Sequence, residues 1–127
     1  RSIETYPMAE AYTFLGWTYS FQGKLQDAIT ECKKAIEVDP DFGNPYNDIG
    51  AYLIELGKLD EAIPWLEKAI HAKRYDPRQY PHYNLGRVYL IKGMMKKALE
   101  EFHKALEAYP DYTLAKEAVD KIKVSLN

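Results

Sequence analysis

The segment LGWTYSFQG at Leu15–Gly23 returns as IGAYLIELG at Ile49–Gly57 and as LGRVYLIKG at Leu85–Gly93, so a pair of glycines seven residues apart occurs three times. The leading glycines, Gly16, Gly50 and Gly86, are separated by 34 and 36 residues. A fixed period of this size marks an array of stacked supersecondary units. The apolar positions keep the same register. Around the leading glycines stand Tyr12, Leu15 and Tyr19, then Tyr46, Ile49 and Leu53, then His82, Leu85 and Tyr89. These i, i+3, i+4 and i+7 spacings describe one face of a helix. Beyond the second glycines, Ala28, Cys32, Ala35 and Ile36 are matched by Ala62, Leu66, Ala69 and Ile70 and by Ala98, Phe102, Ala105 and Leu106. Each unit therefore reads as two helices packed into a hairpin.

The leading glycine sits inside an apolar stripe, where it costs about 1 kcal/mol of helix propensity relative to alanine. Close approach of the second helix offsets that cost, and the sequence predicts Ala28, Ala62 and Ala98 as the small residues brought onto the glycines. The trailing glycines, Gly23, Gly57 and Gly93, fall where the first helix stops, and glycine enters the left-handed conformation that closes a helix cheaply.

The pattern Tyr12-x-x-Leu15-Gly16-x-x-Tyr19, Ala28-x-x-x-Cys32 and Pro40, repeated over residues 9–112, resembles the tetratricopeptide repeat family. The resemblance implies an all-α, right-handed superhelical solenoid of three hairpins, at 9–42, 43–78 and 79–112. The amphipathic segment 113–127 follows as a capping helix with a polar outer face of the kind terminal repeats need. Two departures stand out: KRYDPR at Lys73–Arg78 lengthens the second linker by two residues, and Pro64 falls inside a second helix, where it removes one hydrogen bond. RSIETYP at Arg1–Pro7 mirrors KALEAYP at Lys104–Pro110, so residues 1–8 read as the tail of a preceding repeat, with an N-terminal arm as the alternative. On the first reading, restoring upstream sequence raises stability.

The chemistry of a catalyst is not visible. Cys32 occupies a core slot, Ser2, Ser20 and Ser125 stand apart, and His71, His82 and His103 lie in different helices without His-x-x-x-His spacing. No phosphate loop, metal-ligand motif or cofactor motif is present, so no cofactor and no metal are expected. The net charge of −2 disfavours nucleic acid, although residues 9–76 carry 7 Lys and Arg against 12 Asp and Glu while residues 77–127 carry 9 against 6. No apolar run approaches the ~20 residues of a membrane span, and no secretion signal is recognisable in this segment, which gives a soluble chain of unassigned compartment.

Function is expected on the other face of the first helices, which in tetratricopeptide proteins lines a concave groove. It reads Glu10, Thr13, Trp17, Ser20 and Phe21 in the first unit, and Asn44, Asn47, Ala51, Ile54 and Glu55 in the second. Tyr80, Tyr83, Arg87, Leu90 and Ile91 complete it in the third. Aromatic and amide side chains with few charges fit a surface that binds a protein or peptide rather than water alone. Some members of the family clamp a chaperone's terminal carboxylate with lysine, asparagine and arginine. Thr13, Trp17, Asp48, Tyr80 and Asn84 stand at those places, so that mode is not expected. Tyr83 and Arg87 lie off the core stripe, which predicts that replacing either weakens binding without loss of stability. The expected role is a non-catalytic scaffold or adaptor; the alternative is a structural subunit that self-associates through its N-terminal repeat face.

Overall fold

The computed structural model describes residues 5–126, and Arg1–Glu4, half of the segment read as the tail of a preceding repeat, lie outside them. Among the described residues seven helices follow in order: α1 (Thr5–Phe21), α2 (Leu25–Val38), α3 (Asn44–Glu55), α4 (Leu59–His71), α5 (Gln79–Ile91), α6 (Met95–Ala108) and α7 (Thr113–Leu126). They form two compact units, residues 1–75 and 76–127. The first contains the α1–α2 and α3–α4 hairpins with α2 also against α3; the second contains the α5–α6 hairpin with α7 on α6. Among the described residues no helix is long and apolar enough to cross a membrane.

The three hairpin turns share one device. Gly23, Gly57 and Gly93 have φ of 77°, 79° and 79°. Their N–H groups donate to Ser20, Ile54 and Leu90, and the next N–H in each case reaches back to Tyr19, Leu53 and Tyr89 at 3.0, 2.8 and 2.8 Å. This paired arrangement satisfies carbonyls that a helix end otherwise leaves open.

The leading glycines are buried, but what fills the space above them differs from the expectation. A Cβ on Gly16 would lie 2.9 Å from the Ala28 carbonyl oxygen, so here the alanine does make the close approach. Over Gly50 the occupant is Leu66, and over Gly86 it is the ring of Phe102, rather than Ala62 and Ala98. The reason is volume: the alanines are fully buried beside the contact, and the larger residue one turn later leans into the vacancy the glycine leaves. Leu15 is a second difference. Its equivalents Ile49 and Leu85 are buried, whereas Leu15 is 39% exposed. Among the described helices α1 packs on α2 and α3, and Leu15 is only part-covered by that packing.

The extended second linker acts as a clip within the first unit. The Arg74 N–H donates to the Asp41 carbonyl at 2.9 Å and its own carbonyl accepts from Gly43 at 3.1 Å. Tyr75 packs where a Gly43 side chain would stand. The Arg74 guanidinium pairs with the Asp39 carboxylate, which is fully buried. Tyr46 donates its hydroxyl to the Pro40 carbonyl at 2.8 Å. Helix α4 continues through Pro64 without a break.

In the second unit, Ala98, Phe102, Val119 and Ile122 form the core, with Tyr83, Tyr89, Leu90 and Leu106 packed around it. His82 takes the slot that Tyr12 and Tyr46 hold elsewhere and sits 2.9 Å from Glu101. Burial works to raise the Glu101 carboxyl, but hydrogen bonds from His82 and Lys104 outweigh it and hold it below the usual glutamate range.

Candidate functional site

Each unit carries a cavity on its first-helix face. In the first unit a cavity of about 270 Å³ is lined by Glu10, Thr13, Phe14 and Trp17 from α1, Phe42 from the linker, and Asn44 and Asp48 from α3. Glu10, Trp17 and Asn44 are exposed, with Trp17 half-open to solvent. Phe14, Trp17 and Phe21 make a row of rings, with centroids 5.8 and 4.5 Å apart, that helical spacings of three and four residues bring together. Burial pushes the Asp48 carboxyl up to about 7.

In the second unit a cavity of about 200 Å³ is lined by Tyr83, Arg87, Leu90, Phe102, Leu114, Glu117, Ala118 and Lys121. Helix α7, read from sequence as a cap, thus supplies one wall. Above it Tyr80 and Tyr83 meet Tyr112 edge-on, at centroid distances of 5.7 and 5.4 Å. Burial raises the Tyr112 hydroxyl to about 12, with Tyr83 and Tyr80 adding to the effect. Arg87 donates to the Asn84 side-chain oxygen at 3.1 Å, which steadies its guanidinium.

The groove residues named from sequence separate accordingly. Glu10, Thr13, Trp17 and Asn44 converge on the first cavity, and Tyr83 and Arg87 on the second. Phe21, Tyr80 and Ile91 are exposed outside both, and Asn47 is part-buried. Thr13 and Ile54 are buried, Thr13 with its hydroxyl donating to the Ala9 carbonyl at 2.7 Å. Both therefore serve packing, although Thr13 still reaches the cavity wall. Tyr83 requires a correction: it packs on Phe102 and the core, so its replacement costs stability as well as any contact it offers. Asp48, Phe14, Tyr112 and Lys121 were missed. Asp48 and Phe14 lie next to stripe positions rather than on them, Tyr112 stands in the turn before α7, and Lys121 belongs to a helix read only as a cap.

Three sequence models of the tetratricopeptide repeat match the chain, one at residues 9–42, one at 79–112 and one at 31–63. The chain belongs to the tetratricopeptide repeat family. It is 31% identical over 91 residues to the bovine BBSome complex member BBS4, covering 72% of this chain and 17% of that protein. To the Dictyostelium discoideum STIP1 homolog it is 29% identical, covering 79% and 19%. It spans less than a quarter of either relative. Among solved structures, the N-terminal domain of stress-induced protein-1 from C. elegans superposes with a TM-score of 0.81 at 26% identity, covering 96% of this chain and 99% of that one. The first tetratricopeptide domain of Spaghetti (RPAP3), bound to the HSP90 peptide SRMEEVD, shares the fold at 21% identity with a TM-score of 0.85, covering 95% and 94%. Tetratricopeptide domains mediate protein–protein interaction, and a scaffold or adaptor role fits this chain.

Proposed function

We propose that this chain is a non-catalytic binding module that holds a peptide or helix of a partner protein on the first-helix face of a unit, each unit offering such a face. The observation that carries the reading is the second cavity. An arginine steadied by Asn84, aromatic rings and an aliphatic wall from α7 converge there, the combination that supplies most of the energy at protein interfaces. Lys121 adds a second cation beside one acid, Glu117, so the cavity favours an acidic group on the partner. The first unit contributes Trp17 and Phe21 as apolar anchors, with Asn44 and Asn47 able to hydrogen-bond a partner backbone.

The peptide bound by Spaghetti ends in a carboxylate. Here Thr13, Trp17, Asp48, Tyr80 and Asn84 offer no cation at the corresponding places, so a different recognition mode is proposed. Selection of binders from a random peptide display library tests this. Arg87→Glu is expected to weaken the selected peptides at least tenfold with an unchanged melting temperature, because Arg87 lies outside the core. Lys33→Glu, on the outer side of α2, is expected to leave binding within a factor of two. Equal effects of the two would place the binding surface elsewhere.

One observation favours a second reading. Met8, Phe14, Leu15, Trp17 and Phe21 are all at least 39% exposed along α1, a concentration of apolar surface on a single helix. It fits self-association through the N-terminal repeat face. Light scattering across a hundredfold concentration range separates the readings: a constant monomer mass for the wild-type chain rejects the second. A mass that rises with concentration and reverts in Phe21→Lys supports it.

A further inference from the structure

The acidic cavity of the first unit has a chemistry that the general reading does not name. Its lining holds Glu10 and Asp48 and no lysine, arginine or histidine. Asp48 is the informative residue. It is part-buried, with its remaining exposure on a cavity that it lines, and among the described residues its carboxyl has neither a hydrogen bond nor an ion pair. Burying a carboxylate without a partner is costly, so a chain that places one at a cavity wall leaves a strong and unmet acceptor. Trp17, Phe14 and Phe42 form the rest of the wall, giving apolar surface for an alkyl stem and ring faces for a cation.

We propose that this cavity takes the basic side chain of a partner segment, a lysine or arginine, with its stem along Trp17 and Phe14 and its charge against Asp48. The inference deepens the proposed function and rests on it, since the basic residue belongs to the bound partner. The titratable groups around Asp48 are acidic or neutral: Glu10 lines the same cavity from α1, Cys32 on α2 and Tyr52 on its own helix feel the Asp48 charge, and Glu31 and Glu55 lie beside those two. Burial raises both the Cys32 thiol and the Tyr52 hydroxyl, so neither competes as an anion. Glu31 is already paired with Lys34 at 2.8 Å.

The sign of the pH dependence follows. Burial pushes Asp48 up to about 7, and an incoming cation binds the ionised form. Affinity therefore grows as pH rises from 6 to 8, by about tenfold when a group titrating near 7 must be ionised for binding. Nuclear magnetic resonance titration of the full chain with N-acetyl-lysine methylamide, N-acetyl-arginine methylamide and the uncharged N-acetyl-norleucine methylamide tests the proposal. The expected result is saturable binding of one or both cations on the order of millimolar, as befits a single residue. Shifts should centre on the amides of Thr13, Asn44 and Asp48, at least tenfold tighter than norleucine and tightening with pH. Asp48→Asn should remove both the preference for the cation and the pH dependence. The pH dependence should survive Glu10→Gln, which removes the other carboxylate of the lining, and an unchanged melting temperature of Asp48→Asn guards against a folding defect in that variant. Equal binding of norleucine, or a pH dependence that persists in Asp48→Asn, overturns the assignment. If the amides fail while library-selected peptides still depend on Arg87, the basic-residue inference falls and the proposed function stands.

Discussion

Replacing Gly86 by leucine is expected to destabilise the chain by about 3 kcal/mol or more and to lower its melting temperature by roughly 10 °C or more. Even the first atom of a side chain there would lie 2.5 Å from Phe102 Cε1, 2.6 Å from Cδ1 and 2.8 Å from Cζ. Phe102 is fully buried between α5, α6 and α7, against Val119, Ile122 and Tyr83, so the ring cannot retreat without opening the core of the second unit. Thermal unfolding monitored by circular dichroism reads the effect, with Gly93→Ala as the comparison. A Cβ on Gly93 meets open space, so only the positive φ is penalised, at about 1 kcal/mol. Adding Phe102→Ala to Gly86→Leu should recover part of the loss, because it removes the atoms that the new side chain strikes. A melting temperature unchanged by Gly86→Leu would mean that the ring does not lie over the glycine.

Arg74→Met is expected to cost about 2–3 kcal/mol, most of it through Asp39. The asymmetry of exposure decides this. The Asp39 side chain is 0% exposed and the Arg74 side chain 42%, so removing the cation takes the paired charge from a buried carboxylate that water cannot reach. The reverse change, Asp39→Ala, leaves an arginine that can turn to water and should cost less. Arg74→Lys should recover part of the loss, since it restores the charge but not the planar fork. Urea unfolding of the three variants orders them: a smaller loss in Arg74→Met than in Asp39→Ala contradicts the argument.

The helices were legible because two periodicities coincide: apolar residues at helical spacing inside a unit, and glycines at a fixed spacing between units. The trailing glycines could be placed by one rule, since their left-handed backbone excludes most other residues. Depth was harder to read. Period assigns Ala62 and Leu66 to the same buried face, and only packing reveals that the leucine fills the space above Gly50. Tyr83 shows the same limit from the other side. It belongs to the outward stripe of α5 by register, yet its ring reaches back to Phe102 and Tyr112, because an aromatic side chain is long enough to bridge two faces. Asp48 was unreadable for a different reason. A single aspartate on a helix is usually solvated, and its part-burial comes with α1 and α2 packing on α3, a meeting that no local spacing encodes. The Arg74 clip joins two linkers through backbone hydrogen bonds, which leave no mark on residue type.

The claim that binding occurs on the first-helix faces is tested most directly by site-specific photocrosslinking with a library-selected peptide. A photoreactive residue replaces Trp17 or Arg87 on those faces in one pair of variants, and the exposed Glu37 or Glu67 on α2 and α4 in the other. Crosslinks to the peptide from Trp17 and Arg87, with none from Glu37 and Glu67, are the predicted result. Crosslinks from Glu37 and Glu67, with none from Trp17 and Arg87, would contradict it.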